Sequence, residues 1–102
     1  MSALGTEFKI NVHVEPIGGF HMSSYDFECV FYVYSNKRVI ITKSEMKKVD
    51  DDNYLAIIDT AKALQIGRGK VNMEFTAHIP DNDFNDGLRT EKAITCTGVT
   101  IV

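Results

Sequence analysis

The stretch PDNDFNDGLRTE, from Pro80 to Glu91, holds the side chains of this chain that are best suited to bind a cation: four acids and two asparagines around one glycine. An EF-hand loop that began at Asp81 would have oxygen ligands at positions 3 and 5. It would also need glycine at position 6 and glutamate at position 12, where this chain has Asp86 and Lys92. Strands rather than helices are predicted on both sides. The EF-hand interpretation therefore fails, and a calcium site of another kind is the alternative.

The same residues suit a polar connection between two strands, because aspartate, asparagine and glycine favour turns. In this interpretation Arg89 holds the loop by pairing with one of its aspartates. If successive strands alternate in direction, the loop shares one end of the domain with Asp50–Asn53, and Lys37 and Arg38 lie nearby. We predict a structural or contact-making loop, with these polar residues as its candidates: Asp81, Asp83, Asp86 and Arg89.

The other reactive side chains are too dispersed for catalysis. The three histidines, His13, His21 and His78, fall on separate elements without metal-ligand spacing, so solvated side chains are expected. The serines lie outside the strand centres, and the carboxylates that are close in sequence lie in turns where burial would not raise a pKa. The GRGK stretch follows a predicted helix and precedes a strand, the reverse of a phosphate-binding loop. We predict no enzymatic activity, no metal and no cofactor.

Length and composition fit one globular domain, residues 1–102. The net charge of -3 gives no electrostatic reason to bind nucleic acid. No apolar run approaches the length of a membrane span, and the first residues, MSALGTEFK, lack the basic and apolar regions of a secretory signal. We expect a product made in the cytoplasm, with neither nucleic acid nor membrane as a partner.

Alternating apolar residues predict several strands. In EFKINVHVE and KVNMEFTAHI the alternation is strict, as in antiparallel strands with one face in the core and one in water. YDFECVFYVY alternates too, but its second face carries Val30, Tyr32 and Tyr34. These three residues form a candidate contact surface, since tyrosine is favoured at interfaces. Ordinary cross-strand pairing is the alternative.

The remaining segments complete an all-β pattern. SNKR and DDDN are predicted turns that lead into VIIT and YLAIID, and the last strand runs from RTEKAITCT into GVTIV. One short helix, AKALQI, is expected, capped by Asp59 or Thr60 and ended by Gly67. About seven short strands predict an antiparallel, immunoglobulin-like β-sandwich. The chain lacks the tryptophan usual in that fold, and a small barrel is the alternative.

Both cysteines, Cys29 and Cys96, fall at positions predicted to face the core. Two small buried thiols are expected in a reducing compartment. A disulfide that ties an early strand to the last one is the alternative, which geometry alone could exclude.

The last five residues, GVTIV, place Val99 and Ile101 on one side of the chain's end. An unpaired strand edge there would be an association site. Either this tail closes the sheet of its own chain or it pairs with a neighbouring subunit.

An ordered set of motifs resembles a group of small proteins from prophages of gut bacteria: MSSYDFECVFYV, ITKSEMKKVDDDNYLAIIDT, IGRGKV, IPDNDFNDGLRTE and TGVTIV. More distantly, the chain is similar to the immunoglobulin-like N-terminal domain of phage baseplate upper proteins. There, too, an aspartate–tyrosine turn, a strand ending in DT, a short helix and a glycine-led strand follow one another. The resemblance covers roughly residues 20–102, in short pieces. It implies a β-sandwich that forms a structural part of a bacteriophage tail, baseplate or related assembly, without catalytic residues.

The leading hypothesis is therefore a non-enzymatic virion structural protein, made in the host cytoplasm. It would contact other virion proteins and further copies of itself, as a tail, baseplate or accessory decoration component. Baseplate upper proteins continue into further domains, so its position in the particle stays open. The alternative is a carbohydrate- or cell-surface-binding module, and a third hypothesis is a calcium-dependent adhesion domain. The predicted protein-contact residues are Val30, Tyr32, Tyr34, Val99 and Ile101.

Overall fold

The computed structural model describes residues 2–34 and 38–102. Most of the turn predicted at SNKR, including Lys37, lies outside the described residues. The elements, in chain order, are β1 (Phe8–His13), β2 (Asp26–Tyr32), β3 (Arg38–Thr42), β4 (Lys47–Asp50), β5 (Asn53–Ile58), α1 (Thr60–Ile66), β6 (Gly69–Pro80) and β7 (Leu88–Ile101). Two single-turn 3-10 helices lie between strands, at Met22–Ser24 and Lys43–Glu45.

The described strands form two antiparallel sheets, one with the order β3-β2-β6-β7 and one with the order β1-β5-β4. This confirms the predicted all-β sandwich of seven strands with one short helix. The four-and-three division is that of the constant-type immunoglobulin sandwich, in which the second strand lies beside the first and the fifth. Here β2 lies between β3 and β6 instead. The strand order therefore differs from that arrangement at β2.

The core lies between the sheets and follows the predicted alternation. The inward residues of β6 are all buried: Val71, Met73, Phe75, Ala77 and Ile79. On β2 the ring of Phe27 lies 5.3 Å from that of Phe75 and 5.1 Å from that of Tyr54 on the opposite sheet. The contact with Phe75 is made within one sheet, and the contact with Tyr54 joins the two sheets.

Helix α1 begins and ends where its sequence predicts. The Asp59 side chain accepts a hydrogen bond from the backbone N–H of Lys62 at 2.9 Å, which satisfies an N–H group that the helix leaves unpaired. Gly67 ends the helix with φ 85°, a conformation that favours glycine. Ala63 and Ile66 are buried, so the helix closes one end of the core.

The C-terminal tail closes the sheet of its own chain, the first of the two predicted alternatives. A bulge at Thr97 and Gly98 interrupts the pairing of β7 with β6, and the Thr97 hydroxyl donates to the carbonyl of Val71 at 2.9 Å. Beyond the bulge, Ile101 pairs with Gly69 on one side and bridges to Ser2 on the other. The Ile101 side chain is 2% exposed, so it belongs to the core.

Candidate functional site

Strand β7 is the longest of the seven described strands and lies at one edge of the four-stranded sheet. It pairs with β6 along one side. Along its other side, Ser2 and Leu4 bond to the backbone of Thr100 and Val102. Within the described residues, no strand pairs with that side between Thr90 and Cys96. A row of unpaired N–H and C=O groups of this kind is a template for another strand.

Both faces of β7 meet solvent in its central part, where the five residues from Lys92 to Cys96 are all exposed. Four strands packed against three leave one strand without a counterpart in the opposite sheet. The exposure of the inward-facing Ala93 and Thr95 identifies β7 as that strand. Their neighbours on β6, Phe75 and Met73, are buried. The edge of the sandwich at β7 is therefore open.

An apolar groove of about 370 Å³ lies at this open edge. One wall is the inner face of β6 and β7, and the other is the end of β1 with the segment that follows it. Charged side chains, among them Glu15, Glu91 and Lys92, border the groove. An apolar centre with a polar rim is typical of protein contact sites. Its apolar lining and small side chains are Val14, Ile17, Met73, Phe75, Ala93 and Thr95.

On the outer face of the same sheet, one cross-strand row runs from Ile40 through Val30 and Glu74 to Ile94. Val30, in the middle, is 9% exposed, whereas Ile40 and Ile94 at the two edges are 60% and 67% exposed. Neighbours on both sides cover the central residue, and an edge residue has a neighbour on one side alone. The predicted contact residue Val30 is therefore the least accessible member of a row whose apolar ends were not predicted.

The other predicted contact residues differ in accessibility. Tyr34 is exposed, and Tyr32 is half-buried, with the Arg38 guanidinium 5.3 Å from the centre of its ring. Tyr32 and Arg38 are also directly paired across β2 and β3, the arrangement that the cross-strand alternative describes. Val99 packs against the core and Ile101 is buried in it. Of these four, Tyr34 presents the most surface to a partner.

The acid-rich loop connects β6 to β7, and its acids shape the turn. The Asp81 side chain accepts a hydrogen bond from the backbone N–H of Asp83 at 3.0 Å, and the Asp86 side chain accepts one from the backbone N–H of Leu88 at the same distance. The Nε of Arg89 lies 3.4 Å from the carboxylate of Asp81, and its Nη1 contacts Glu91. The predicted ion pair between Arg89 and an aspartate of the loop is therefore present.

The turn between β4 and β5 gathers polar groups from segments that are separate in the sequence. His21 Nδ1 lies 2.8 Å from Asp52 Oδ2, and the backbone N–H of Met22 donates to Asp52 Oδ1 at 3.3 Å. His13 Nδ1 lies 3.0 Å from the Asp52 carbonyl oxygen, and its Nε2 lies 3.1 Å from Glu15. Asp52 thus links two histidines that lie 39 and 31 residues before it in the sequence.

Carboxylate partners change how these histidines titrate. The hydrogen bond that Glu15 accepts raises the pKa of His13 above its ordinary value, and the hydrogen bond that Asp52 accepts does the same to the pKa of His21. The third histidine, His78, lies 3.1 Å from a carboxylate oxygen of Glu28 on the neighbouring strand. His13 and His21 are exposed to solvent, as expected, although each also has a carboxylate partner, and His78 is half-buried.

The two cysteines are free, so the alternative of a disulfide is excluded in this structure. Cys29 is buried, and burial raises the pKa of its thiol to about 12. Cys96 is exposed on the outer face of β7, where it pairs with Asn72. The prediction of a core-facing thiol is confirmed for Cys29 and wrong for Cys96. At Cys96 the strand lies at the sheet edge, and the side chain points away from the opposite sheet.

Within residues 2–34 and 38–102, no group of three or more histidine, cysteine, aspartate or glutamate side chains is placed to hold a metal ion. No helix in the same residues is long and apolar enough to cross a membrane. Comparisons with known proteins found no matching family model, no matching curated protein and no matching solved structure. Function therefore has to be inferred from the surface of the molecule and from its motifs.

Proposed function

We propose that this chain is a non-enzymatic structural component of a bacteriophage virion, in the tail, the baseplate or an accessory layer, and that it works through protein–protein contacts. The observation that carries the proposal is the open edge at β7. Five consecutive residues are exposed there, beside an apolar groove of about 370 Å³. Edge strands are normally shortened, charged or covered, so a long and uncovered one favours a protein that assembles.

Two further features support the proposal. The ordered motifs between MSSYDFECVFYV and TGVTIV resemble those of small prophage proteins and of the N-terminal domain of baseplate upper proteins. The polar groups of the two acidic turns are engaged with one another and with neighbouring backbone. Side chains used in this way set the shape of the turns, which suits a building block.

The proposal is tested on particles released by the bacterium that carries the gene. The particles are purified on a density gradient, and their proteins are quantified by mass spectrometry, with an abundant cytoplasmic protein as the control for carry-over. We expect the chain in the particle fraction, at a constant ratio to the major structural proteins across independent preparations. A chain that leaves the particle fraction together with the cytoplasmic control would overturn the proposal.

One observation favours the carbohydrate- or surface-binding alternative. Phe84 is exposed at the tip of the β6–β7 loop, where Asn85, Asp86 and Arg89 share a shallow depression with it. An aromatic face beside convergent polar groups is a common arrangement for binding a small polar ligand. NMR titration with a panel of oligosaccharides, repeated with Phe84→Ala, tests this alternative. Shifts confined to the loop that Phe84→Ala removes would favour glycan binding, and unchanged spectra across the panel would count against it.

A further inference from the structure

We propose that two copies of the chain associate through the free edges of their β7 strands, antiparallel about a twofold axis at Ile94. The two four-stranded sheets then become one continuous sheet of eight strands. This inference rests on the proposed function, since it specifies the self-contact of a protein that assembles. Three observations support it: the direction of the backbone groups of β7, the side chains along the edge of β7, and the contrast with the edge strands β3 and β4.

The backbone of β7 presents four residues to the free edge. In an antiparallel strand, the N–H and C=O of successive residues point to opposite sides. Thr100 and Val102 bond to Ser2 and Leu4 across the outer side, with distances of 2.7 to 3.0 Å. The register shifts by two residues at the bulge, from Lys70↔Thr100 to Asn72↔Cys96, so the alternation continues unchanged. The residues that point outward are therefore Thr90, Lys92, Ile94 and Cys96.

The edge matches a second copy of itself. Antiparallel pairing centred on Ile94 places the Ile94 side chains of the two copies opposite one another on the outer face. Ile94 is 67% exposed, the most exposed large apolar side chain among the described residues. In the same register Lys92 lies opposite Cys96 of the second copy, and Ala93 lies opposite Thr95. Apart from Lys92, the side chains that meet at the centre of the interface are therefore apolar or small.

The charges near this edge do not oppose the pairing. Lys92 already has a partner, since its Nζ lies 3.2 Å from a carboxylate oxygen of Glu74 on β6. Glu91 contacts Arg89. No like charges stand directly opposite in the Ile94-centred register, which is the arrangement that would destabilise a cross-strand pair. The small net charge of -3 also adds little repulsion between two copies.

Two of the other three edge strands, β3 and β4, are protected in ways that β7 is not. Strand β4 is four residues long, carries Lys47, Lys48 and Asp50, and is broken by a register shift. Strand β3 has five residues, and helix α1 packs beside it. Short length, charge, bulges and a covering helix are the features by which edge strands avoid pairing. Along the central five residues of β7 the single charged residue is Lys92.

The test compares two exposed isoleucines of the same sheet, Ile94 on β7 and Ile40 on β3. All variants carry Cys96→Ser, so that disulfides between copies cannot form. Sedimentation equilibrium and light scattering over a wide concentration range give the dimer dissociation constant. We expect the background protein to dimerise, and Ile94→Lys to weaken dimerisation at least about tenfold, because it places like charges directly opposite. Ile40→Lys, the matched control, leaves the constant unchanged.

Hydrogen exchange supplies an independent readout. In the dimer, the amides of Lys92, Ile94 and Cys96 gain protection as concentration rises, whereas those of Ala93 and Thr95 are protected at every concentration by β6. A background protein that stays monomeric throughout, or equal weakening by Ile94→Lys and Ile40→Lys, would overturn the inference. Neither result bears on the presence of the chain in purified particles, so the proposed function fails or stands separately.

Discussion

Strands β6 and β7 are neighbours in one sheet, paired from Gly69 and Ile101 at one end to Pro80 and Leu88 at the other, yet their surroundings are opposite. Every inward-facing residue of β6 from Val71 to Ile79 is buried, and even the outward Thr76 is. Five consecutive residues of β7 are exposed on both faces. Of two strands that pair with each other, one can therefore lie in the interior and the other at the surface.

The difference shows what an alternating pattern records. The inward side chains of β6 are large and apolar because the second sheet lies opposite them and removes their area from water. The inward positions of β7 at its centre hold Ala93 and Thr95, which lose little by facing the groove. Strict alternation thus indicates that a second sheet lies opposite the strand; a strand can form without such alternation, as β7 does at its centre. Where the alternation weakens, the strand continues beyond the cover of its partner layer.

The largest effect that tests this comparison is expected in the core. Phe75→Ala removes a buried ring from β6, 5.3 Å from the ring of Phe27, and should lower the free energy of unfolding by about 3 to 5 kcal/mol. Ile94→Ala removes an exposed side chain of β7, next to the Ala93 that pairs with Phe75, and should change the free energy of unfolding by no more than about 0.5 kcal/mol. Urea denaturation, at a protein concentration low enough for the chain to be monomeric, measures both changes in the free energy of unfolding.

Similar losses in the two variants would break the comparison. A large loss at Ile94 would mean that the outer face of β7 is covered in solution, and a small loss at Phe75 would mean that β6 is not held by the opposite sheet. Phe75→Leu is the matched control for the core site. It keeps an apolar side chain of substantial volume and should lose less than Phe75→Ala.

The sequence predicted the parts of the fold that local pattern determines. Strict alternation placed the buried residues of β6, and the Asp59 cap and the Gly67 stop placed both ends of α1. Strand β4 has no inward apolar series, since all four of its residues are exposed, so alternation could not mark it. The position of β2 between β3 and β6 depends on which sheet a strand joins, and no local pattern encodes that choice.

The candidate site was predicted less well, because it depends on contacts between distant segments. The alternation of side chains in KAITCT places Ile94 and Cys96 on one face but does not indicate which face meets the opposite sheet, so the core prediction for Cys96 is wrong. His21 and Asp52 are 31 residues apart in the chain and 2.8 Å apart in the structure. The apolar tail had two open alternatives, and the pairing of Ile101 with Gly69 decided between them. Tyr34 is 65% exposed, and its role as a contact residue stays a prediction.

A smaller effect is expected from substitutions at two glycines, Gly69 at the paired end of the two strands and Gly98 in the bulge. Gly98, in the bulge of β7, has φ 82° and open space where a side chain would begin, so Gly98→Ala should cost about 1 to 2 kcal/mol through backbone conformation alone. Gly69, at the start of β6, has φ 134°, and an added Cβ would lie 2.4 Å from Cγ1 of Val33. Gly69→Ala should cost about 1 to 3 kcal/mol more than Gly98→Ala, because it adds a steric clash.

Thermal and urea unfolding of the two variants measure this difference. Gly69→Ser, with a side chain that begins in the same way, should behave like Gly69→Ala. Equal losses at Gly69 and Gly98 would show that Val33 moves aside easily, and that the start of β6 is packed no more tightly than the exposed bulge. The contrast between an enclosed β6 and an open β7 would then be confined to the centre of the hairpin.

The smallest effect concerns the wall of the groove that faces β7, where His13 is a lining residue and shares the Asp52 turn with His21. The pKa of each histidine is raised in the folded state, by the hydrogen bond that Glu15 accepts from His13 and the one that Asp52 accepts from His21. A raised pKa means that the folded state binds the proton more tightly than the unfolded state does. The resulting stability is complete below the ordinary value of 6.5 and is lost as pH rises through the folded value.

The melting temperature should therefore fall slightly between pH 6 and pH 8, and the fall should be smaller in Asp52→Asn. That variant removes the charge beside His21 but keeps an oxygen that can accept a hydrogen bond from the N–H of Met22.

NMR titration of the ring protons follows each histidine separately. The pKa of His21 should move toward its ordinary value in Asp52→Asn, while that of His13 should move less, because Glu15 remains. The depressed pKa values of Asp50 and Asp51 concern a lower pH range and do not interfere. If the melting temperature of the unsubstituted protein instead rises from pH 6 to pH 8 relative to that of Asp52→Asn, the proposed link between the histidine pKa values and stability is contradicted.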